Sequence, residues 1–324
     1  EKEKEGNGMK AMVRDRFGGP EVLDLREIEA PTPGDDEVLV RVRASSVAIG
    51  DWFWLTGTPA IMRPASGILR PRDRVLGRDL AGVVEAVGAK VSTLNVGDEV
   101  YGEAPGGAHA ELVAIRADLL AAKPVNLSFE QAAAIPVAGV TALQGLRKGG
   151  LKPGQRVLVN GASGAVGTFV VQIAKAFGAE VTAVCSAGAS ELVRGIGADH
   201  VIDYANEDFT QGSARYDLIF DLAGSHSVGA CRGVLSPNGV YVASTSRLRV
   251  LLRASLASMT ARGRIVVHAA KESKDDLDEL RDLIERGAVT PVIDRTYTLA
   301  QVPDAFRDQG AGHARGRKVI TVTA

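Results

Sequence analysis

The chain has 324 residues, too many for one small core and suited to two domains of roughly 100 to 200 residues each. Its 38 basic residues against 39 acidic ones leave a net charge near zero, which excludes a global attraction to nucleic acid or anionic lipid, so any polyanionic ligand must be held locally. Hydrophobic residues make up 45% and charged residues 24%, an ordinary soluble balance, and no apolar run approaches the ~18 residues of a transmembrane helix.

The opening "EKEKEGNG" has no apolar h-region and precedes Met9; it reads as a disordered extension or tag, not a signal peptide. From Lys10 to about Val125, "KAMVRD", "VLDLREI", "EVLVRVRASSVAI", "LAGVVEAVG", "DEVYGE" and "AELVAI" are short alternating runs separated by Gly, Pro, Asn and Asp, with Gly97-Asp98 as one turn. They predict a small antiparallel barrel or sandwich. Ser128 with Gln131 forms a capping box for the helix "FEQAAAIP", which Pro136 ends or kinks.

From Gln155 the pattern changes to strand "RVLVN", helix "GTFVVQIAKAFG", strand "EVTAVC", helix "ASELVRGIG", then strands "HVIDY", "YDLIFDLAG" and "GVYVAST". Strands and helices of this length predict an α/β fold with a parallel, doubly wound sheet. The charged helix "SKDDLDELRDLIERG", stopped at Gly287, the strand "VIDRTYTL", a short helix around "QVPDAFRD" and a last strand "KVITVT" cannot easily extend that sheet, so the tail is expected to return to the N-terminal domain. The expected divisions are 1–8, an extension; 9–125, the β-rich domain; 126–264, the doubly wound domain; and 265–324, the return segment. Cys185 and Cys231 belong to no CxxC pair and cannot build a disulfide framework, which points to a reducing interior, the cytoplasm.

The chemistry centres on "NGASGAVG", where Ala162, Gly164 and Gly167 have the spacing of the dinucleotide fingerprint with Ala in its first glycine position. Gly164 lets the backbone approach a pyrophosphate, Gly167 lets helix and strand pack closely, and the helix N-terminus presents unpaired N–H groups. Ser163 adds a hydroxyl donor. About 20 residues on, a carboxylate would bind the ribose 2′-OH of NAD. Here the second strand instead ends in Cys185-Ser186-Ala187-Gly188, with no acid, which predicts NADP(H) over NAD(H). No Arg or Lys stands at this turn either, so the 2′-phosphate must use Ser186, Tyr204 or a basic group from elsewhere.

The stretches "VLGRDLAGVVEAVG", "VGDEVYG", "AAAIPVAGVTALQGL", "NGASGAVGTFVVQIAKAFGA", "GADHVIDY" and "GHARGRKVI" give the chain, from Met9 onward, its resemblance to the medium-chain dehydrogenase/reductase superfamily. It is most similar to the zinc-independent quinone oxidoreductase (zeta-crystallin-like) branch. The resemblance implies a GroES-like catalytic domain clasping a Rossmann NADP-binding domain, and a homodimer. It places Thr141 near the nicotinamide and Gly161, Ala162, Ser163, Gly164, Ala165, Val166 and Gly167 under the pyrophosphate. Ser186 and Tyr204 fall near the 2′-phosphate, Ala223, Gly224, Ser244 and Thr245 along the rim of strand ends, and Arg317 near the cofactor phosphates.

Zinc alcohol dehydrogenases share this fold, but a catalytic zinc needs three ligands of the Cys, His or carboxylate type. Where those enzymes have Gly-His-Glu the chain has Gly77-Arg78-Asp79, and both cysteines lie in the nucleotide domain; His109 and His313 are isolated, surface or loop residues in this reading. No metal is therefore expected. Without a Lewis acid, hydride addition to a conjugated acceptor is favoured, because charge spreads onto an enolate or hydroquinone oxygen. An NADPH-dependent reductase of quinones or α,β-unsaturated carbonyls is the first expectation, an apolar small molecule its partner. A 2-enoyl-thioester reductase is the alternative, and a non-catalytic NADPH-binding regulatory or structural protein is the alternative of another class.

"SSVAIGDWFWLTG" aligns with the family's active-site loop, with Ala48 in an Asn position and Phe53 in a Tyr position, neither able to carry a proton. That leaves solvent, the ribose hydroxyl, Asp51 or Ser46 as donor. Ile49, Trp52, Phe53 and Trp54 are the expected substrate pocket; on a strand at most two of the aromatic three face the cleft, and filling of the barrel core is the equal reading. Residues 246–264, apolar with regularly spaced Arg, read as a helix shielding one face of the cleft, with a membrane-surface or partner helix as the other reading.

Overall fold

A computed structural model of the chain describes residues 8–58, 67, 69–245, 247–260, 264–312 and 314–322. The expectations for the first seven residues and for His313 lie outside them. The N-terminal part holds β1 (Gly8–Val13), β2 (Asp24–Glu29), β3 (Glu37–Val47), α1 (Ile49–Thr56), β4 (Asp79–Val87), β5 (Glu99–Glu103), β6 (Leu112–Arg116) and β7 (Leu120–Ala122). The middle runs through α2 (Phe129–Ala133), α3 (Pro136–Gly149), β8 (Arg156–Asn160), α4 (Ala165–Ala176), β9 (Glu180–Cys185), α5 (Ser190–Gly195), β10 (His200–Asp203) and β11 (Tyr216–Asp221). There follow α6 (Val228–Gly233), β12 (Leu235–Ala243), α7 (Leu248–Thr260), β13 (Arg264–Val267), α8 (Lys274–Glu285), β14 (Ile293–Thr298), α9 (Val302–Ala311) and β15 (Arg317–Thr321).

Strand β3 shows why the first domain forms. Val38, Val40, Val42 and Ala44 recur at every second position, all fully buried, while Arg41 and Arg43 point away. β3 pairs antiparallel with β4, β6 and β15, and the seven-stranded sheet so built takes in β14 and β15 from the end of the chain. The tail thus returns to the N-terminal domain.

The second sheet has six strands, all parallel, in the order β10-β9-β8-β11-β12-β13, so the direction of winding reverses between β8 and β11. In such sheets ligands bind beyond the strand ends at that reversal. Helices α3, α4 and α8 cover one face and α6 and α7 the other. Helix α4 is buried from Gly167 to Ala174, which explains its almost wholly apolar sequence. Helix α8 is amphipathic, burying Leu277, Leu280 and Leu283, with Ser273 capping its N-terminus through the Asp276 N–H.

Four differences from the sequence reading have physical causes. Residues 49–56 are helical, not extended, because a short helix lets Trp52 lie on Gly310 of α9. Pro136 opens α3 at a position where its missing N–H costs nothing. Residues 264–267 form the edge strand β13, so a boundary at 264 cuts through the parallel sheet. Finally, one core cluster joins the two domains: Ala44, Ala81 and Tyr101 pack with α3, α4 and α8, and the Tyr101 hydroxyl donates to the Leu277 carbonyl at 2.6 Å.

Candidate active site

The site begins where β8 stops. Gly161 turns the chain at φ 94°, a left-handed conformation glycine adopts freely, and the N–H groups of Gly161 and Ala162 both donate to the Val184 carbonyl of β9 at 3.1 Å. Gly164 then serves as the N-cap of α4. The glycines have different tasks. A Cβ on Gly167 would lie 2.2 Å from the Gly161 carbonyl oxygen, so only glycine lets α4 sit against the turn. A Cβ on Gly164 would meet nothing nearer than 3.6 Å, because that residue opens onto a cavity. Ala165, Val166 and Gly167 line the same cavity; as the first turn of a helix they offer N–H groups without intrahelical acceptors. This donor set fits a pyrophosphate.

The cavity, about 270 Å³, has three further walls. Leu222, Ala223 and Ser244 follow β11 and β12, held by the buried Asp221, whose carboxylate accepts from Asn160 Nδ2 and the Gly224 N–H at 2.8 Å and from the Tyr241 hydroxyl at 2.5 Å. Val47 and Ile49 come from the first domain. Gln309, Ala314, Gly316 and Arg317 come from the tail, which is pinned to the fingerprint turn by a 2.9 Å bond from the Gly316 N–H to the Ser163 carbonyl. Among the described residues no carboxylate, imidazole or thiol lines the cavity.

Arg317 borders the cavity, but its guanidinium is committed elsewhere. It is 4% exposed, pairs with Asp79, and donates from Nε to Ser46 Oγ at 2.8 Å. Ser46 in turn donates to Asp79 at 2.6 Å, and the other carboxylate oxygen accepts from the Val137 N–H at 2.8 Å. Arg317, expected near the cofactor phosphates, thus borders the cavity while its Nε and Nη2 serve a structural ion pair, and Ser46 has no free proton to give.

Asp51 is likewise withdrawn as a proton donor. It is buried, does not line the cavity, and accepts from the Ala48 N–H at 2.8 Å, which closes the first turn of α1. Burial pushes its carboxyl up from 3.8 to about 6. Folded protein therefore holds this proton where unfolded chain has released it, so the group favours folding below pH 4 and loses that contribution as pH rises through 6. An Asp51→Asn variant keeps the oxygen acceptor and removes the titration. Urea unfolding at pH 4 and pH 7 should show the stability difference between wild type and variant changing by roughly 2 kcal/mol, the wild type losing ground at the higher pH; parallel behaviour would rule this out.

Trp52 and Trp54 pack against the core of the first domain, and the Trp54 carbonyl accepts from the buried Arg14 guanidinium together with that of Leu55, the latter at 3.2 Å. Trp52, Phe53 and Trp54 are half-buried and none lines the cavity; of the expected pocket residues, Ile49 does. Trp52→Ala and Trp54→Ala should each cost about 2 to 3 kcal/mol in denaturant unfolding and leave the acceptor Michaelis constant within about twofold, whereas a cleft role would move the constant first.

The Thr141 hydroxyl donates to the Val137 carbonyl at 2.6 Å, and Thr141 is not among the residues that line the cavity. Ser186 and Tyr204 meet at the end of β9, where the Tyr204 N–H donates to the Cys185 carbonyl at 3.1 Å. Gly224 turns the chain at φ 58°, and Thr245 accepts from the Arg247 N–H at 3.2 Å. Helix α7 covers a sheet face away from the cavity, which it does not line, and so does not shield the cleft. His109 is a correction: it sits in a bend yet is fully buried, its Nδ1 3.0 Å from Ser45 Oγ, its Nε2 without a partner, and burial pushes it down to about 3. Among the described residues no three His, Cys, Asp or Glu side chains are grouped to hold a metal ion. Leu222 and Gln309 carry no motif, and Val47, Ala314 and Gly316 lie inside stretches of family resemblance without a side chain that marks them as site residues. Asn160 and Asp221 had a usable signal, their position as last residues of the strands flanking the reversal.

A GroES-like sheet joined to a parallel sheet with the dinucleotide turn at its switch point defines a nicotinamide-dependent oxidoreductase of two domains. The chain belongs to the medium-chain dehydrogenase/reductase superfamily: residues 34–125 match the alcohol dehydrogenase GroES-like domain and residues 196–320 the zinc-binding dehydrogenase family. It is 34% identical to the Mus musculus "NAD(P)H oxidoreductase RTN4IP1, mitochondrial", over 97% of this chain and 89% of that one. It is 35% identical to the "NADPH-dependent alkenal/one oxidoreductase, chloroplastic" of Arabidopsis thaliana, over 96% of this chain and 79% of the relative. Among solved structures, the quinone oxidoreductase from Coxiella burnetii superposes with a TM-score of 0.86 at 28% identity, covering 98% of this chain and all of that one.

Proposed function

We propose that the chain reduces a conjugated acceptor, a quinone or an α,β-unsaturated carbonyl, with hydride from NADPH and without zinc. The observation that carries this is the cavity itself: helix N–H groups and a glycine gap on one side, walls that are apolar apart from Ser244, Gln309 and Arg317 on the others, and, among the described residues, no acid, imidazole or thiol. Bound there, NADPH supplies a hydride. The chain's own contribution is to hold the diphosphate at Gly164–Gly167, orient a flat apolar acceptor near Val47 and Ile49, and exclude water. Since a conjugated acceptor delocalises the charge it gains, no Lewis acid is needed, and its proton comes from solvent.

The donor set does not suit a catalytic zinc. Both oxygens of Asp79 already accept hydrogen bonds, and Arg78 in the neighbouring position is a cation paired with Glu103 at 2.6 Å and Glu272 at 2.5 Å. A homodimer is part of the same reading. Leu248, Leu252 and Leu256 recur every fourth residue on the exposed face of α7, beside β13, the edge strand of the parallel sheet among the described residues, and a second copy would cover both. Light scattering should give twice the chain mass, and Leu252→Glu with Leu256→Glu should halve it. Cys185 and Cys231 are buried and unpaired, which suits a reducing compartment, taken as the cytoplasm, although the two curated relatives carry mitochondrial and chloroplastic names. No helix among the described residues is long and apolar enough to cross a membrane.

Stopped-flow oxidation of NADPH by an ortho-quinone, a para-quinone, an enone and crotonyl-coenzyme A tests the reading. Turnover is expected with the quinones or the enone. Turnover with the thioester alone, or with none of them, would overturn it.

A further inference from the structure

A conjugated acceptor carries a carbonyl oxygen, and the cavity holds a side chain free to meet it. Among the described residues that line the cavity, only Ser244, Gln309 and Arg317 have polar side chains. Arg317 is spent on Asp79 and Ser46, and Ser244 follows β12 in the share of the lining that the second domain contributes. Gln309 comes from the tail. It stands in the last turn of α9, half-buried, and among the described residues no hydrogen bond engages its amide; its carbonyl alone is used, accepting from the Gly312 N–H at 3.4 Å. Two N–H donors and a side-chain oxygen are thus left to water, which a ligand displaces when it offers the same bonds.

The position of Gln309 follows from the packing of α9 against α1 and β3. A Cβ on Gly310 would stand 2.6 Å from Cη2 of Trp52, so the two helices meet without room for a methyl group. That contact brings Gln309 into the lining together with Val47, the last residue of β3, and Ile49, the first of α1, the two residues beside which the flat acceptor is placed above. The charge that needs a partner arises at the acceptor's oxygen. When an enone takes up hydride from NADPH at its far carbon, the C=C electron pair moves onto the carbonyl oxygen and water protonates the near carbon, NADP+ being left; in a quinone the same shift leaves the charge on a phenolate oxygen. A donor already in place at that oxygen stabilises the charge as it develops. A neutral amide does this with an N–H, needing neither a metal nor a proton of its own.

We propose that the Gln309 side chain donates from Nε2 to the carbonyl oxygen of the acceptor, orienting it and stabilising the charge that oxygen gains. The site thereby favours acceptors whose electrons end on oxygen. The proposal rests on the reductase reading above and deepens it by naming the residue that recognises the acceptor.

Kinetics with 2-cyclohexenone and a para-quinone, read beside calorimetric titration of NADPH, provide the test on wild type, Gln309→Met and Gln309→Glu. Cyclohexanone, which keeps the oxygen but has no conjugated double bond, serves as the inert analogue. Gln309→Met, of similar length but without a donor, should lower kcat and kcat/KM alike by about tenfold or more, weaken inhibition by cyclohexanone by about threefold, and leave NADPH affinity and Tm unchanged. Gln309→Glu, which sets a carboxylate against the developing charge, should be slower still. Unchanged acceptor kinetics in Gln309→Met would show that the amide meets only water, and a loss of NADPH affinity as large as the loss of kcat/KM would assign it to the cofactor; either overturns the proposal. A wild type that binds NADPH yet reduces neither acceptor would instead remove the reductase reading on which it rests.

Discussion

Gly167→Ala and Gly164→Val should fail in opposite ways. Gly167 is packed on backbone: its new Cβ would stand 2.2 Å from the Gly161 carbonyl oxygen and 2.7 Å from the Ala162 carbonyl carbon, atoms that cannot rotate aside. Relief requires α4 to move off the turn, and α4 is buried between the sheet and α3. A cost of about 3 kcal/mol follows, the upper end for overpacking, with nucleotide affinity lost as the cradle distorts. Gly164 has φ −74° and ψ 170°, which any residue adopts, and its Cβ would be unopposed. Gly164→Val should therefore fold with stability within about 0.5 kcal/mol of wild type, while its branched side chain fills the space a diphosphate needs and lowers NADPH affinity at least tenfold. Thermal unfolding read beside a fluorescence titration separates the two. A stable, nucleotide-binding Gly167→Ala protein would contradict the fingerprint geometry, and unimpaired binding by Gly164→Val would place the diphosphate elsewhere.

The contrast also explains what could be read in advance. Local periodicity carries the alternation of β3, the amphipathic face of α8 and the glycine spacing of the nucleotide turn, because each arises from residues a few positions apart. α1 was hidden for the converse reason. "IGDWFWLT" is apolar and aromatic without a clear period, and it becomes helical through contacts made far away, Trp52 on Gly310 and the Trp54 carbonyl on Arg14, added to the local bond from the Ala48 N–H to Asp51. β13 was missed because a four-residue edge strand following an apolar helix leaves no signal of its own. The contact of Arg315 with the turn after β9 fell outside reach in the same way. Gly188 and Arg315 meet only because the tail crosses the fingerprint turn, and no spacing rule spans so long a separation.

Another long-range pairing should be the most expensive to break. Asp79 and Arg317 are 238 residues apart in sequence, 1% and 4% exposed, and between them connect β4, β15 and the first turn of α3. The carboxylate has two separate duties, since one oxygen faces Arg317 and Ser46 and the other accepts from the Val137 N–H, where a negative charge also suits a helix N-terminus. Arg317→Met removes the cation and leaves a buried carboxylate whose remaining donors are a hydroxyl and one N–H. The expected loss is about 3 to 5 kcal/mol, most of it the desolvation of an uncompensated charge and not the value of the pair itself. That distinction can be measured. Asp79→Asn in the Arg317→Met background keeps an oxygen for Val137 and discards the charge, so the double variant should recover more than half of the loss and be more stable than Arg317→Met alone. A double-mutant cycle by urea unfolding gives the coupling directly. Additive losses would mean that the two side chains do not sense each other, and that β15 is held to the N-terminal sheet by its backbone ladder alone.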